Sequence, residues 1–199
     1  MNKTILDKIV VSINECFEWG QIFILDILCD YKAENKREAE YIIDRILPRM
    51  SHVNPAIVFT AIKCIVIHMQ GLDKELVTLL IKKLSKPLKG LLGSNFEIKY
   101  LVLKFSQVLV NLHPNLLGDD FSPFICSYND PVFIKLEKME LMSNLVNTKN
   151  IKKILNEFYE YHKDINGEFV CVSITYLTNI AIRFKEAAAY GLDLLNKMI

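Results

Sequence analysis

The sequence predicts an all-α fold built from repeated pairs of helices, and three observations lead to this prediction. Hydrophobic residues make up 51% of the 199 residues and charged residues 24%, a composition that can form a sizeable core. Only seven glycines and six prolines are present, too few for the turns of a many-stranded sheet protein. Apolar residues also recur with helical spacing, and the pattern repeats along the chain.

The first two elements follow from apolar spacing. Glu18 opens a weak copy of the repeat, in which Ile22 and Cys29 share one face. A stronger amphipathic helix follows, because five apolar residues fall at helical intervals. These residues are Ala39, Ile42, Ile43, Ile46 and Leu47.

Four further helix starts are marked by residue types that cap helices, since their side-chain oxygens accept bonds from the first turn. They are Asn54, Ser94, Asp130 and Asn166, at spacings of 40, 36 and 36 residues. Apolar residues follow each start by four and by eleven positions, two turns apart on the same face. The first set is Val58, Ile98, Ile134 and Val170, and the second is Ile65, Phe105, Leu141 and Leu177.

The remaining segments fit between these starts. The stretch from Ile98 to Leu112 predicts a long helix with its apolar face buried, and Ile151 to Phe158 predicts another helix. Alternation from Phe169 to Thr178 resembles a strand, but its place in the repeat favours a helix. Proline is expected where the preceding helices end, at Pro48, Pro87 and Pro123.

A period of 36 to 40 residues with two helices per unit is typical of HEAT and armadillo arrays. We therefore expect one α-solenoid over residues 1–199, with about five helical pairs. The apolar stripe runs on through Leu194, Leu195, Met198 and Ile199, which predicts that the segment belongs to a longer array.

Composition and spacing predict no chemistry. The formal charge is only +1, so neither nucleic acid nor an anionic membrane is an expected partner of the chain by itself. No histidine stands four residues from another histidine, so we expect no metal or cofactor. The five cysteines are expected as buried thiols, and Trp19 as a corner of the core. Asp130, Glu137 and Glu140 are expected on a solvated, ion-paired helix face with Lys135 and Lys138.

Three blocks of sequence resemble beta-adaptins, the large beta subunits of vesicle-coat adaptor complexes. The first block is Asn14 to Asp26, NECFEWGQIFILD, and the second is Ser51 to Val58, SHVNPAIV. The third and strongest is Tyr128 to Glu140, YNDPVFIKLEKME. They occur in the family's order, and weaker similarity spans the rest of the chain. The first block favours the clathrin-associated class, whereas Phe124 to Tyr128 also resembles the clathrin-independent class, so the class stays open.

The resemblance implies a scaffold in vesicle-mediated protein transport, corresponding to the middle of the N-terminal trunk. It implies a cytoplasmic protein, peripheral on Golgi, endosomal or plasma-membrane coated vesicles. The implied partners are the medium and small adaptor subunits and a second large subunit, with clathrin bound only through regions outside this chain. An apolar contact with the medium subunit's cargo-binding domain is implied at Phe169 and Val170. Val170 also occupies a repeat position that predicts a core residue.

Two other functions stay open on the residues alone. A nuclear-transport receptor or a phosphatase scaffold would share the helical-repeat fold and would bind other partners. An enzyme would need cysteine and histidine, or carboxylates, to converge in space, which the spacing does not favour, so no enzyme is expected.

Overall fold

The computed structural model describes residues 3–113, 117 and 121–198, and the regular elements in these ranges are all helical. Ten α-helices are present there, which confirms the prediction of an all-α chain with about five helical pairs. They are α1 Lys3–Ser12, α2 Glu18–Asp30, α3 Lys36–Ile46, α4 Pro55–His68, α5 Lys74–Leu91, α6 Phe96–Leu112, α7 Val132–Asn144, α8 Ile151–Glu160, α9 Gly167–Arg183 and α10 Lys185–Asn196. Ile199, the last residue of the predicted apolar stripe, lies outside the described residues.

The helices form two compact units, residues 1–98 and 99–199. In the first unit α4 packs against α2, α3 and α5 and is the most deeply buried helix. Its last residue, His68, places Nε2 2.8 Å from the carbonyl oxygen of Leu28, so the buried ring donates to the end of α2.

In the second unit α9 packs against α7, α8 and α10. Three fully buried phenylalanines, Phe124, Phe158 and Phe169, fill the core of this unit. Tyr161 lies beside two of them, with its ring centroid 6.0 Å from Phe158 and 5.2 Å from Phe169. The α9 helix confirms the prediction from the repeat and excludes a strand over Phe169 to Thr178.

Two of the four predicted caps are confirmed. The side-chain oxygen of Asn54 accepts from the Ala56 amide at 2.9 Å, and that of Asn166 accepts from the Phe169 amide at 2.9 Å. The prediction of a cap at Ser94 was wrong by one residue, because the side chain of Asn95 accepts the bond from the Ile98 amide. Asp130 was also wrong as a cap, since its carboxylate is occupied by lysines.

Two expectations about helix ends and faces were wrong in part. Pro87 does not follow α5 but lies inside it, and the helix continues to Leu91. The helix α6 has the predicted length, yet Leu101, Val108 and Leu112 on its predicted buried face are more than half exposed. Its core face is formed instead by Val102, Leu103, Ser106, Gln107, Leu109 and Val110.

Candidate partner-binding surface

The loop before α7 is fixed by a buried carboxylate. Asp130 accepts a bond from Lys138 Nζ at 2.6 Å and another from Lys99 Nζ at 3.1 Å. The Ser127 amide donates to the same carboxylate at 3.0 Å, and Lys138 also donates to the Ile125 carbonyl oxygen at 2.9 Å. The two lysines come from α6 and α7, so this cluster joins both helices to the segment 125–130 that precedes α7.

Burial and hydrogen bonding act in opposite directions on this carboxylate. The side chains of Asp130 and Lys138 are only 4% and 7% exposed, and desolvation disfavours an ionised group. The bonds from Lys138, Ser127 and Lys99 outweigh this, and they lower the pKa of Asp130 below its ordinary value. Lys138 and Lys135 are therefore ion-paired as expected, but they are buried and not solvated.

A cleft of about 360 Å³ opens next to this cluster. Lys135 forms one wall, and its Nζ lies 2.7 Å from Asp164 Oδ2 and 5.0 Å from the Phe169 ring centroid. The bond from Lys135 lowers the pKa of Asp164 below its ordinary value. Tyr128 and Ile165 stand at the rim, 82% and 91% exposed. We call this site, formed by these five residues with Cys126 and Tyr161, the Phe169 cleft.

Two polar groups below the cleft are held in their neutral forms. The Cys126 amide donates to the Tyr161 hydroxyl oxygen at 2.9 Å. Burial raises the pKa of the Cys126 thiol to about 12, and burial likewise raises the pKa of Tyr161. A protonated, buried thiol is a poor nucleophile. These groups therefore support the cleft and do not act as reactive groups in it.

The structure places the two predicted partner contacts in different environments. Phe169 is 1% exposed and forms the floor of the cleft between Tyr161 and Lys135. Val170 is half-buried, one position further along α9. Of these residues, Val170 and the rim of the cleft are accessible to a partner. Phe169 is buried and packs beneath them.

Exposed apolar residues on α2 were missed by the sequence reasoning. Trp19 was expected to pack in the core, and this was wrong, because Trp19, Phe23 and Ile27 are each at least half exposed. Their spacing of four residues along a helix was the available signal. This spacing could not be recognised as an exposed face in the sequence, because the opposite face of α2 is equally apolar.

The other candidate sites do not converge on a reactive centre. The described residues contain no group of three histidines, cysteines or carboxylates placed to hold a metal ion. Cys29 and Cys64 are buried as expected, whereas Cys171 is exposed. An open cleft of about 860 Å³ in the first unit is lined mainly by polar residues around the start of α3, with Leu6 and Asp7 of α1. None of the helices in the described ranges is long and apolar enough to cross a membrane.

These features define a helical-repeat protein whose distinctive groups organise loops and offer surfaces. The fold is shared with a designed armadillo repeat protein for modular peptide recognition, at a TM-score of 0.59 and 16% identity, covering 96% of this chain and 91% of that one. At this identity the likeness shows the fold alone, and it confirms the predicted armadillo-like architecture.

The family model described as Adaptin N terminal region matches residues 2–199, and the chain therefore belongs to the adaptin N-terminal family. AP-1 complex subunit beta of Dictyostelium discoideum is 37% identical over 195 residues, which are 98% of this chain and 21% of that protein. Human AP-1 complex subunit beta-1 is 37% identical over 94% of this chain and 20% of its own length. The resemblance to beta-adaptins is confirmed, and the chain spans about a fifth of the length of these relatives.

Proposed function

We propose that this chain is part of the scaffold of an adaptor complex in vesicle-mediated protein transport. The observation that carries the proposal is the match to the adaptin N-terminal family over residues 2–199, with relatives that are beta subunits of AP-1 complexes. The partners are a second large subunit, a medium subunit and a small subunit. Clathrin binds only through regions outside this chain, and the complex is cytoplasmic and peripheral on coated vesicles.

The mechanism is one of shape and surface complementarity. Stacked helix pairs present side chains on successive helices, and binding needs no catalytic group. The described residues supply ordered elements for this, such as the Asp130 cluster, in which Lys138, Lys99 and the Ser127 amide bond to the carboxylate just before α7. A binding site on such elements keeps its geometry before the partner arrives, which reduces the entropy cost of association.

The experiment that tests the proposal is purification of the protein from cells in which it carries a tag at its own locus. Mass spectrometry of the co-purified chains should identify one other large subunit, one medium subunit and one small subunit. Recovery of nuclear-transport cargoes or of a phosphatase, without adaptor subunits, would show that the function is that of another helical-repeat scaffold.

We further propose that the medium subunit contacts the second unit at the Phe169 cleft and at Val170. An apolar group of the partner would pack between the exposed rim residues Tyr128 and Ile165. Lys135 in the wall of the cleft is already paired with Asp164, and the Phe169 ring forms the floor, so the cleft favours an apolar or aromatic side chain of the partner.

The matched test compares three variants in the same purification. Tyr128→Ser with Ile165→Ser should lower recovery of the medium subunit several-fold, and Val170→Ala should lower it less. Val53→Ser removes an equally exposed apolar residue of the first unit and should leave recovery unchanged. Equal recovery with all three variants would place the medium subunit elsewhere.

A further inference from the structure

The helix α2 is apolar on the side that faces away from its own unit. Trp19, Phe23 and Ile27 are 69%, 67% and 50% exposed, and they lie four residues apart, on adjacent turns of one face. Leu25 and Leu28 on the opposite side are fully buried against the core. A helix that is apolar all round is normally covered on all sides, so the outward face of α2 is suited to a partner.

The area of this face sets the size of the partner. Aromatic side chains present about 150–250 Å² each, so the exposed parts of Trp19, Phe23 and Ile27 together amount to roughly 400 Å². Such a patch matches the size of the largest apolar patch on a typical monomer surface, which is often functional. It is about half of one partner's share of a standard protein interface, which is about 800 Å². A single helix laid along α2 would cover it, in the manner of helix-in-groove recognition.

The charge around this face is negative. The segment Glu18–Asp30 contains no lysine or arginine, and Asp26 and Asp30 lie on the same side as Phe23. Asp26 has one basic neighbour, Lys63 of α4, at 3.6 Å, and both side chains are about half exposed, so water screens the pair. We call the face formed by Trp19, Phe23, Asp26, Ile27 and Asp30 the α2 surface.

We propose that the α2 surface binds a basic amphipathic helix of another protein subunit, with lysine or arginine flanking an apolar stripe. A second copy of this chain is a poor occupant, because a symmetric pair would place Asp26 and Asp30 against the same acids. An anionic membrane is a poor occupant as well, since the carboxylates would face negative headgroups. This inference rests on the proposed function in one respect, because the partner helix is sought among the subunits of the adaptor complex.

The test uses the tagged protein in its native complex, with the photo-crosslinking residue p-benzoylphenylalanine in place of Phe23. The matched control carries the same residue in place of Leu79 of α5, which is also apolar and exposed in the first unit. Leu79 differs from Phe23 in the charge around it, because Lys82 and Lys83, one turn further along α5, are basic and exposed. After irradiation, mass spectrometry should place the Phe23 crosslink on a basic amphipathic helix of a different chain. A crosslink to another copy of this chain, to lipid or to an acidic segment would overturn the proposal.

Charge reversal tests the chemistry of the contact. Asp26→Lys with Asp30→Lys should lower the Phe23 crosslink yield about tenfold, since each reversed charge pair is worth up to ~1 kcal/mol. The Leu79 crosslink should keep its yield. All these residues are exposed, so an unchanged thermal transition would show that the variants fold. An unchanged Phe23 yield would refute the charge argument.

The two proposals fail in different ways. If adaptor subunits co-purify but Phe23 crosslinks no more than Leu79 does, the α2 surface is not a binding site and the proposed function stands. If Phe23 crosslinks to a basic amphipathic helix of a protein outside any adaptor complex, the surface is correct and the proposed function is wrong.

Discussion

Replacing Asp130 with asparagine should destabilise the protein by about 3–5 kcal/mol. Asp130→Asn keeps the shape of the side chain but removes the charge that two lysines share. Lys138, which is nearly buried, would keep its bond to the Ile125 carbonyl oxygen but would face a neutral amide in place of the carboxylate. An uncompensated buried ammonium is costly, because the low local dielectric penalises a charge without a partner.

The matched control is Asp73→Asn. Asp73 also pairs with a lysine, Lys36, at 2.5 Å, but both side chains are about 60% exposed. Exposed pairs contribute about 0–1 kcal/mol, so this variant should be close to the unsubstituted protein. The two variants lose the same charge, but Asp130 is buried and bonded to two lysines, whereas Asp73 is exposed and paired with one.

Urea unfolding followed by far-ultraviolet circular dichroism measures both effects. With a slope of about 3 kcal/mol per M, the midpoint for Asp130→Asn should fall by about 1 to 1.7 M. The pKa of Asp130 is lowered in the folded protein, so its contribution is complete above the unfolded value of about 3.9 and is lost as pH falls through the folded pKa. The stability difference between Asp130→Asn and the unsubstituted protein should therefore shrink as the pH falls below about 4. A loss below 1 kcal/mol at pH 7, or a difference that does not change with pH, would refute this reasoning.

Two further predictions concern packing and thiol reactivity. Gly191→Ala should destabilise the protein by about 1–3 kcal/mol, because the added Cβ would lie 2.5 Å from the Cβ of Ala181. Gly90→Ala is the control, since a Cβ at that position meets open space and should leave stability unchanged or slightly higher. Thermal unfolding measures the stability of both variants. Iodoacetamide at pH 8 should label the exposed Cys171 well before the buried Cys64, and mass spectrometry of timed samples would show the order. Faster labelling of Cys64 would mean that α4 opens readily.

The helices could be predicted from the sequence because caps and apolar periodicity are local signals. Asn54 and Asn166 cap the helices they were expected to cap, since the bonds they accept come from two or three residues away. It was harder to predict which face of each helix is buried. Where both sides of a helix are apolar, as around Phe23 and Leu101, periodicity cannot tell the core side from the exposed side.

The candidate site could be predicted only in part for a different reason. The lysines of the third resembling block were recognised as ion-paired, but their burial depends on partners far along the chain. Lys135 is buried by Asp164 and Phe169, which lie about one repeat later. Contacts across one repeat leave no periodic signal within either segment. The prediction that residues 1–199 form one solenoid domain stays a prediction.

The Asp130 cluster also limits how this sequence can change over time. Because one carboxylate accepts bonds from both Lys99 and Lys138, loss of the acid removes an ionic partner from two lysines, and loss of either lysine leaves the acid with one partner fewer. Buried ionic groups of this kind can be exchanged for apolar ones with little loss only when the whole set changes together. Each single substitution in the cluster is therefore expected to destabilise the protein. We expect the residues of the cluster to be retained in evolution while the exposed positions around them change.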